Sequence, residues 1–323
     1  MPKMPGSEDF DRRTWPTLGV RIRGVVLAAS VLVCAGTANA GPPGRLEGSW
    51  TTSTLTPYAR PRAFTTLIVP DAAAAEYERQ RRGKPPEGVA DEVGGEETDW
   101  WETDVPLARV RGRVRSSWIV APLDGRVPFT GEALSANRAR QARTKSDFSG
   151  PEVRPDGERC LASAAPPLQS LGANDGFQIV QTPSAVVILL ERVSGPRIVR
   201  LDHPVHVPET IRTRDGDSIG WWEGSTLVVD TRNFADLSVP AAPGEDRSRM
   251  RVIERFTRTG PHELHYAFFL SNSGRYAAPV QGEMVFGPSA GRTFEVACHE
   301  GNYALSNILA GARAVERGAA RLK

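Results

Sequence analysis

Residues 251–258 read RVIERFTR and residues 264–270 read LHYAFFL, with Gly260-Pro261 between them. Side chains on a strand alternate between its two faces. Val252, Glu254, Phe256 and Arg258 therefore share one face of the first segment, and Ile253, Arg255 and Thr257 the other. In the second segment His265 and Ala267 lie with Phe269, while Tyr266 points the other way with Phe268. A turn signal between two such segments makes them an antiparallel pair.

The same phrase recurs on either side. Residues 178–181 and 185–191 flank Thr182-Pro183-Ser184, and residues 197–202 (RIVRLD) alternate. Residues 219–222 and 226–231 flank Glu223-Gly224-Ser225, a hairpin signal. Residues 280–286 and 293–297 flank a Gly-rich turn at 287–291. Strands at this spacing, joined by turns and not by helices, predict a mainly β fold over residues 177–300. It is an antiparallel meander or a closed, calycin-like barrel. Residues 302–317 (NYALSNILAGARAVER) space Tyr303, Ile308, Leu309, Ala312 and Val315 at helical intervals. They predict a C-terminal helix lying on the sheet.

Residues 41–176 read as an irregular α+β part. A short strand is expected at 46–50 and another at 64–69, the latter leading into a helix over 72–82. A similar phrase at 117–128 (SWIVAPLDGRVP) leads into a helical run at 131–143. Between the two, residues 82–97 (RGKPPEGVADEVGGEE) read as a mobile loop.

Residues 1–40 have the parts of a secretory signal. Arg21 and Arg23 precede an apolar run at 25–34 (VVLAASVLVC), and Ala38-Asn39-Ala40 gives the small-x-small cleavage pattern. The run is short for a membrane span, so no stable membrane anchor is expected. The reading is a mature protein from Gly41, periplasmic or secreted. Arg12-Arg13, between Asp11 and Pro16, leaves Sec and twin-arginine export both open. The long acidic front leaves the true start open as well, with Leu18 and Val20 as alternatives.

After cleavage two cysteines remain, Cys160 and Cys298. In an oxidising compartment an even count reads as a disulfide. Two buried thiols, or a reactive Cys298 beside His299, are the competing readings. The 323 residues carry 40 Lys and Arg against 38 Asp and Glu, a formal charge of +2. The signs are interspersed, so no one-sided basic field for nucleic acid exists.

Several stretches resemble an uncharacterised family of exported, β-rich bacterial proteins. The matching phrases are residues 118–128, 158–160, 178–191, 197–202, 220–234, 254–258 and 297–307 (ACHEGNYALSN), covering most of 115–315. The last phrase, A-C-H-E-G-N-Y before a C-terminal helix, is the most specific. The resemblance implies an exported β-rich domain. It carries no established reaction and no catalytic residues to transfer.

Four constellations could carry chemistry. Cys298-His299-Glu300-Gly301-Asn302-Tyr303 sits where the last strand meets the helix. There His299 could act as acid/base beside Glu300, with Asn302 and Tyr303 lining a ligand site near free backbone N–H groups. Equally, Cys298 could be bridged and Asn302 could cap the helix, making the motif a structural tie. His203 and His206, near Asp202, suggest a divalent metal, but no strong zinc spacing exists and no metal site is assigned. Arg212–Asp217 (RTRDGD) lacks the later ligands of a calcium loop and reads as a turn. One of Trp221 and Trp222 should face the core and the other the opposite side. Glu254, His265 and Tyr266 on neighbouring strands could line a polar interior or a solvated outer face.

No G-x-S-x-G elbow, Walker loop, Rossmann glycine pattern or C-x-x-C-H haem motif is present in the sequence, so no cofactor is implied. Two function classes remain. One is a binding protein holding a small, partly apolar ligand in a barrel cavity, with Trp221, Trp222, His203, His206, Asn302 and Tyr303 as candidate lining. The other is a hydrolase- or lyase-like enzyme using His299 with Glu300, Glu254 or His265. A purely structural envelope role comes third.

Overall fold

The computed structural model describes residues 44–51, 54–84, 105–161, 165–168, 176–191, 195–236, 246–291, 293–294 and 297–321. The signal-sequence reading of residues 1–40 and most of the loop at 82–97 lie outside the described residues.

Among the described residues, twelve strands and three α-helices follow in chain order. They are β1 (Gly48–Thr51), α1 (Asp71–Arg81), β2 (Arg109–Val110), β3 (Arg113–Val114), β4 (Ile119–Ala121), α2 (Gly131–Ser146) and β5 (Gly176–Gln181). Then come β6 (Ala185–Leu190), β7 (Arg197–Arg200), β8 (Asp217–Glu223), β9 (Thr226–Arg232), β10 (Arg251–Gly260), β11 (Glu263–Ser271), β12 (Val280–Pro288) and α3 (Ala304–Arg321).

The fold is a closed β-barrel. Its strand order is β1-β5-β6-β7-β8-β9-β10-β11-β12, and β1 pairs back onto β12 through Trp50↔Pro288 and Thr51↔Gly287. The short β4 adds to β12 beside this seam. Nine strands in a closed ring cannot all alternate up and down, so one neighbouring pair must run parallel. That pair is β7–β8, with Val199 opposite Ser218 and Arg200 opposite Ile219. The sequence reading expected an antiparallel meander or a closed barrel, and the barrel is the form found. Its one departure from antiparallel pairing among the described strands needs a connection that returns the chain to the starting edge. Residues 201–216 provide it, carrying both the His203–His206 and the Arg212–Asp215 segments.

Inward and outward side chains alternate as the strand period requires. On β10, Val252, Glu254 and Phe256 are buried while Ile253, Arg255 and Thr257 are partly exposed. On β11, Leu264, Tyr266, Phe268 and Leu270 share the buried face. Aromatic rings fill much of the interior. Tyr266 packs against Phe256 at 5.0 Å, Phe286 at 5.5 Å and Phe268 at 5.9 Å between centroids. Trp222 packs against this core, whereas Trp221 faces outward and its indole N–H donates to Glu223 at 3.1 Å. The N-terminal segment crosses the rim formed by the β8–β9 and β10–β11 turns. Leu46 is buried there, and its carbonyl accepts the Trp50 indole N–H at 3.0 Å.

Three expectations are corrected. Residues 64–69 make only an isolated bridge, Ile68↔Arg115, and no regular strand. Residues 293–294 are not strand either, and 295–296 lie outside the described residues. Among the described residues, helix α3 is hydrogen-bonded to the segment at 148–160, where the expectation had it on the sheet. Arg313 donates to the Phe148 carbonyl at 2.6 Å and Asn302 to the Glu158 carbonyl at 2.8 Å.

Candidate functional site: a charged cluster inside the barrel

Arg197 opens β7 on the inward register shared by Val199, so its guanidinium enters the lumen. Glu254 occupies the inward register at the middle of β10. Their side chains are 2% and 0% exposed, and they form a two-pronged ion pair. Arg197 Nη1 donates to Glu254 Oε1 at 3.1 Å, and Nη2 donates to Oε2. Nε also donates to Ser218 Oγ at 3.2 Å, and Nη2 to Thr231 Oγ1 at 2.9 Å. The Tyr266 hydroxyl donates to Glu254 Oε1 at 2.8 Å. Burial, and then the adjacent Glu254 carboxylate, push the Tyr266 phenol well above its ordinary value. It therefore stays a neutral donor and acceptor.

A backbone group completes the cluster. Leu168, 3% exposed, belongs to the same apolar core, and its N–H donates to Tyr266 Oη at 2.8 Å. The result is a desolvated polar knot walled by apolar and aromatic side chains. Such a pair contributes little net stability over apolar packing, yet losing one partner costs about 3–5 kcal/mol.

The other site candidates lie elsewhere. His265 points outward from β11, with Nε2 3.3 Å from Glu283 Oε2, and Glu283 also pairs with Arg115. Burial opposes ionisation of Glu283, but His265 and Arg115 hold its carboxyl below the ordinary value. Glu254 and His265 are therefore on opposite sides of the barrel wall and cannot share one acid/base step.

His299 and Glu300 lie on an exposed turn, and Tyr303 is 72% exposed. Cys298 is bonded to Cys160, with Cα atoms 5.6 Å apart. Asn302 donates to the Glu158 carbonyl and to Cys160 Sγ at 3.2 Å, and its Oδ1 accepts the Leu305 N–H at 3.4 Å. Of the two readings of this motif, the structural tie describes Cys298 and Asn302.

His203 is exposed, whereas His206 is locked on the outer wall, its side chain 7% exposed. His206 Nδ1 lies 2.8 Å from Asp217 Oδ2 and Nε2 lies 3.4 Å from Asp230 Oδ2. Arg200 pairs with Asp217 at 2.8 Å, and Arg251 with Asp230 at 2.9 Å. Burial alone would raise Asp230, but His206 and Arg251 outweigh it and hold the carboxyl down at about 2. With the Val207 N–H on Asp217 at 3.0 Å, this network straps the 201–216 connection to the barrel. Among the described residues no group of three or more His, Cys, Asp or Glu is placed to hold a metal ion.

The sequence named Glu254 and Tyr266 as lining of either a polar interior or an outer face and left open which of Trp221 and Trp222 turns inward; it did not point to Arg197, Ser218, Thr231 or Leu168. The available signal was the lone inward arginine of RIVRLD, which needs a buried anion. Glu254 is the carboxylate on the corresponding face of β10.

No family model matches the chain, and no curated protein matches it. Among solved structures the chain is similar to a secretary abundant heat soluble (SAHS) protein from Ramazzottius varieornatus. The match has 10% identity and a TM-score of 0.25, over 38% of this chain and 78% of that one.

Proposed function

We propose that this is an exported binding protein that takes a small, partly apolar ligand inside its barrel, against Arg197, Glu254 and Tyr266. One observation carries the reading: a desolvated charge pair with hydroxyl partners sits in a lumen otherwise lined by apolar and aromatic side chains. Apolar walls with a few convergent polar groups are the usual make-up of a ligand site. A barrel core has no energetic need of such a pair, since apolar residues of similar volume stabilise as well or better. The disulfide agrees with an oxidising compartment, as does the resemblance to exported bacterial proteins.

The test compares organic extracts of protein purified from its own host. The wild type is set against the double variant Arg197→Met with Glu254→Leu, which removes both charges and leaves neither partner stranded. The variant is expected to be as stable as the wild type or more so, and to lack a compound that the wild type carries. Identical extracts, or a wild-type extract with no compound, would contradict the proposal.

A further inference from the structure

We infer that the ligand is electrically neutral and gives one hydrogen bond to Tyr266 Oη, with a branched apolar group in the place now filled by Leu168. This deepens the binding reading above and rests on it.

Most of the cluster's hydrogen-bonding capacity is already spent. Arg197 already donates to Glu254, Ser218 and Thr231. The Tyr266 hydroxyl has one donor, and it is given to Glu254. What Tyr266 presents toward Leu168 is a lone pair, now occupied by the Leu168 N–H at 2.8 Å. A ligand in that position must bring a donor of its own or leave the oxygen unpaired in an apolar surround, which is costly.

Charge narrows the class further. A carboxylate or phosphate would lie beside Glu254, whose only cationic partner among the described residues, Arg197, is already engaged. The other arginine on an inward register, Arg258, is at the rim over the Trp50 ring and donates to the Pro261 carbonyl at 2.7 Å. An ammonium would meet the Arg197 guanidinium in the same desolvated space. Either ion would enter a low-dielectric site whose two charges are already paired with each other, at a large desolvation cost. The internal occupant has the favoured chemistry: an isobutyl side chain and one neutral N–H.

The test uses four probes that share the isobutyl group of leucine. They are 3-methylbutan-1-ol, 3-methylbutanoate, 3-methylbutylammonium and 1-methoxy-3-methylbutane. Each is titrated calorimetrically into the wild type and into Leu168→Gly, with Leu168→Ala carrying the test if the glycine variant does not fold. The alcohol should bind the Leu168 variant, and do so about ten-fold more tightly than either ion or the ether. Adding Tyr266→Phe should erase the difference between alcohol and ether. Equal or tighter binding of either ion, or an alcohol preference that survives Tyr266→Phe, would overturn the inference and leave the binding reading standing. If no probe binds either Leu168 variant while near-ultraviolet circular dichroism reports intact packing, the lumen takes no ligand, and both fall.

Discussion

The ring of Phe268 occupies the space that a β-carbon on Gly282 would need. The nearest ring atom is 2.3 Å from that position, and the two residues face each other across β11 and β12. The Trp118 carbonyl lies 3.1 Å from the same point, so the strand has little room to shift. Glycine here is a packing requirement of the lumen. Gly282→Ala should destabilise the protein by about 1–3 kcal/mol through overpacking. Urea denaturation of the two proteins measures it. An unchanged midpoint would mean that Phe268 has another place to go.

The outer strap makes a pH prediction with a definite sign. Asp230 is held at about 2, below its ordinary 3.8, so its ionised form is favoured in the folded state. A depressed carboxyl contributes stability that is fully present above the ordinary value. That stability is lost as pH falls from about 5 toward 2. The side chain is only 5% exposed, and the contribution is about 2 kcal/mol. Asp230→Asn should lose that amount near neutrality and show a flatter fall between pH 5 and pH 2. Parallel acid profiles for the two proteins would rule out Asp230 as a main contributor.

The motif before α3 separates two kinds of residue. His299 is exposed, so His299→Ala should change stability by no more than about 0.5 kcal/mol. The disulfide closes a loop across 138 residues. Cys160→Ser with Cys298→Ser should cost about 2–5 kcal/mol. Denaturant midpoints of both variants against the wild type decide it. A large loss from His299→Ala would return that histidine to the set of residues that hold the fold.

The barrel was legible where alternation was clean. On β10 the separation of Val252, Glu254 and Phe256 from Ile253 and Arg255 follows from the strand period alone, though which set turns inward does not. The split of Trp221 from Trp222 follows in the same way. Strand direction was not legible between β7 and β8, because turn residues in 201–216 mark a break in the strand but not where the chain re-enters. The parallel pair emerges only from closing nine strands into a ring. The charged cluster was half legible. Glu254 and Tyr266 sit on adjacent strands, but Arg197 lies 57 residues from Glu254, and no local pattern links them. Mixed faces misled in the other direction. His265 shares a strand with Tyr266, and only the packed core tells which of the two points inward. The polar run at 298–303 reads like a site because its residue types are chemical. Its structure spends Cys298 on a disulfide and Asn302 on a helix cap.

The most direct test of the account is native mass spectrometry of the protein purified from its own host under conditions that preserve non-covalent contacts. The expected spectrum contains a species heavier than the polypeptide by the mass of one small molecule. That added mass should leave on collisional activation and be absent from the Arg197→Met, Glu254→Leu variant. A spectrum of bare polypeptide alone, from protein whose near-ultraviolet circular dichroism reports intact packing, would contradict a ligand-binding barrel.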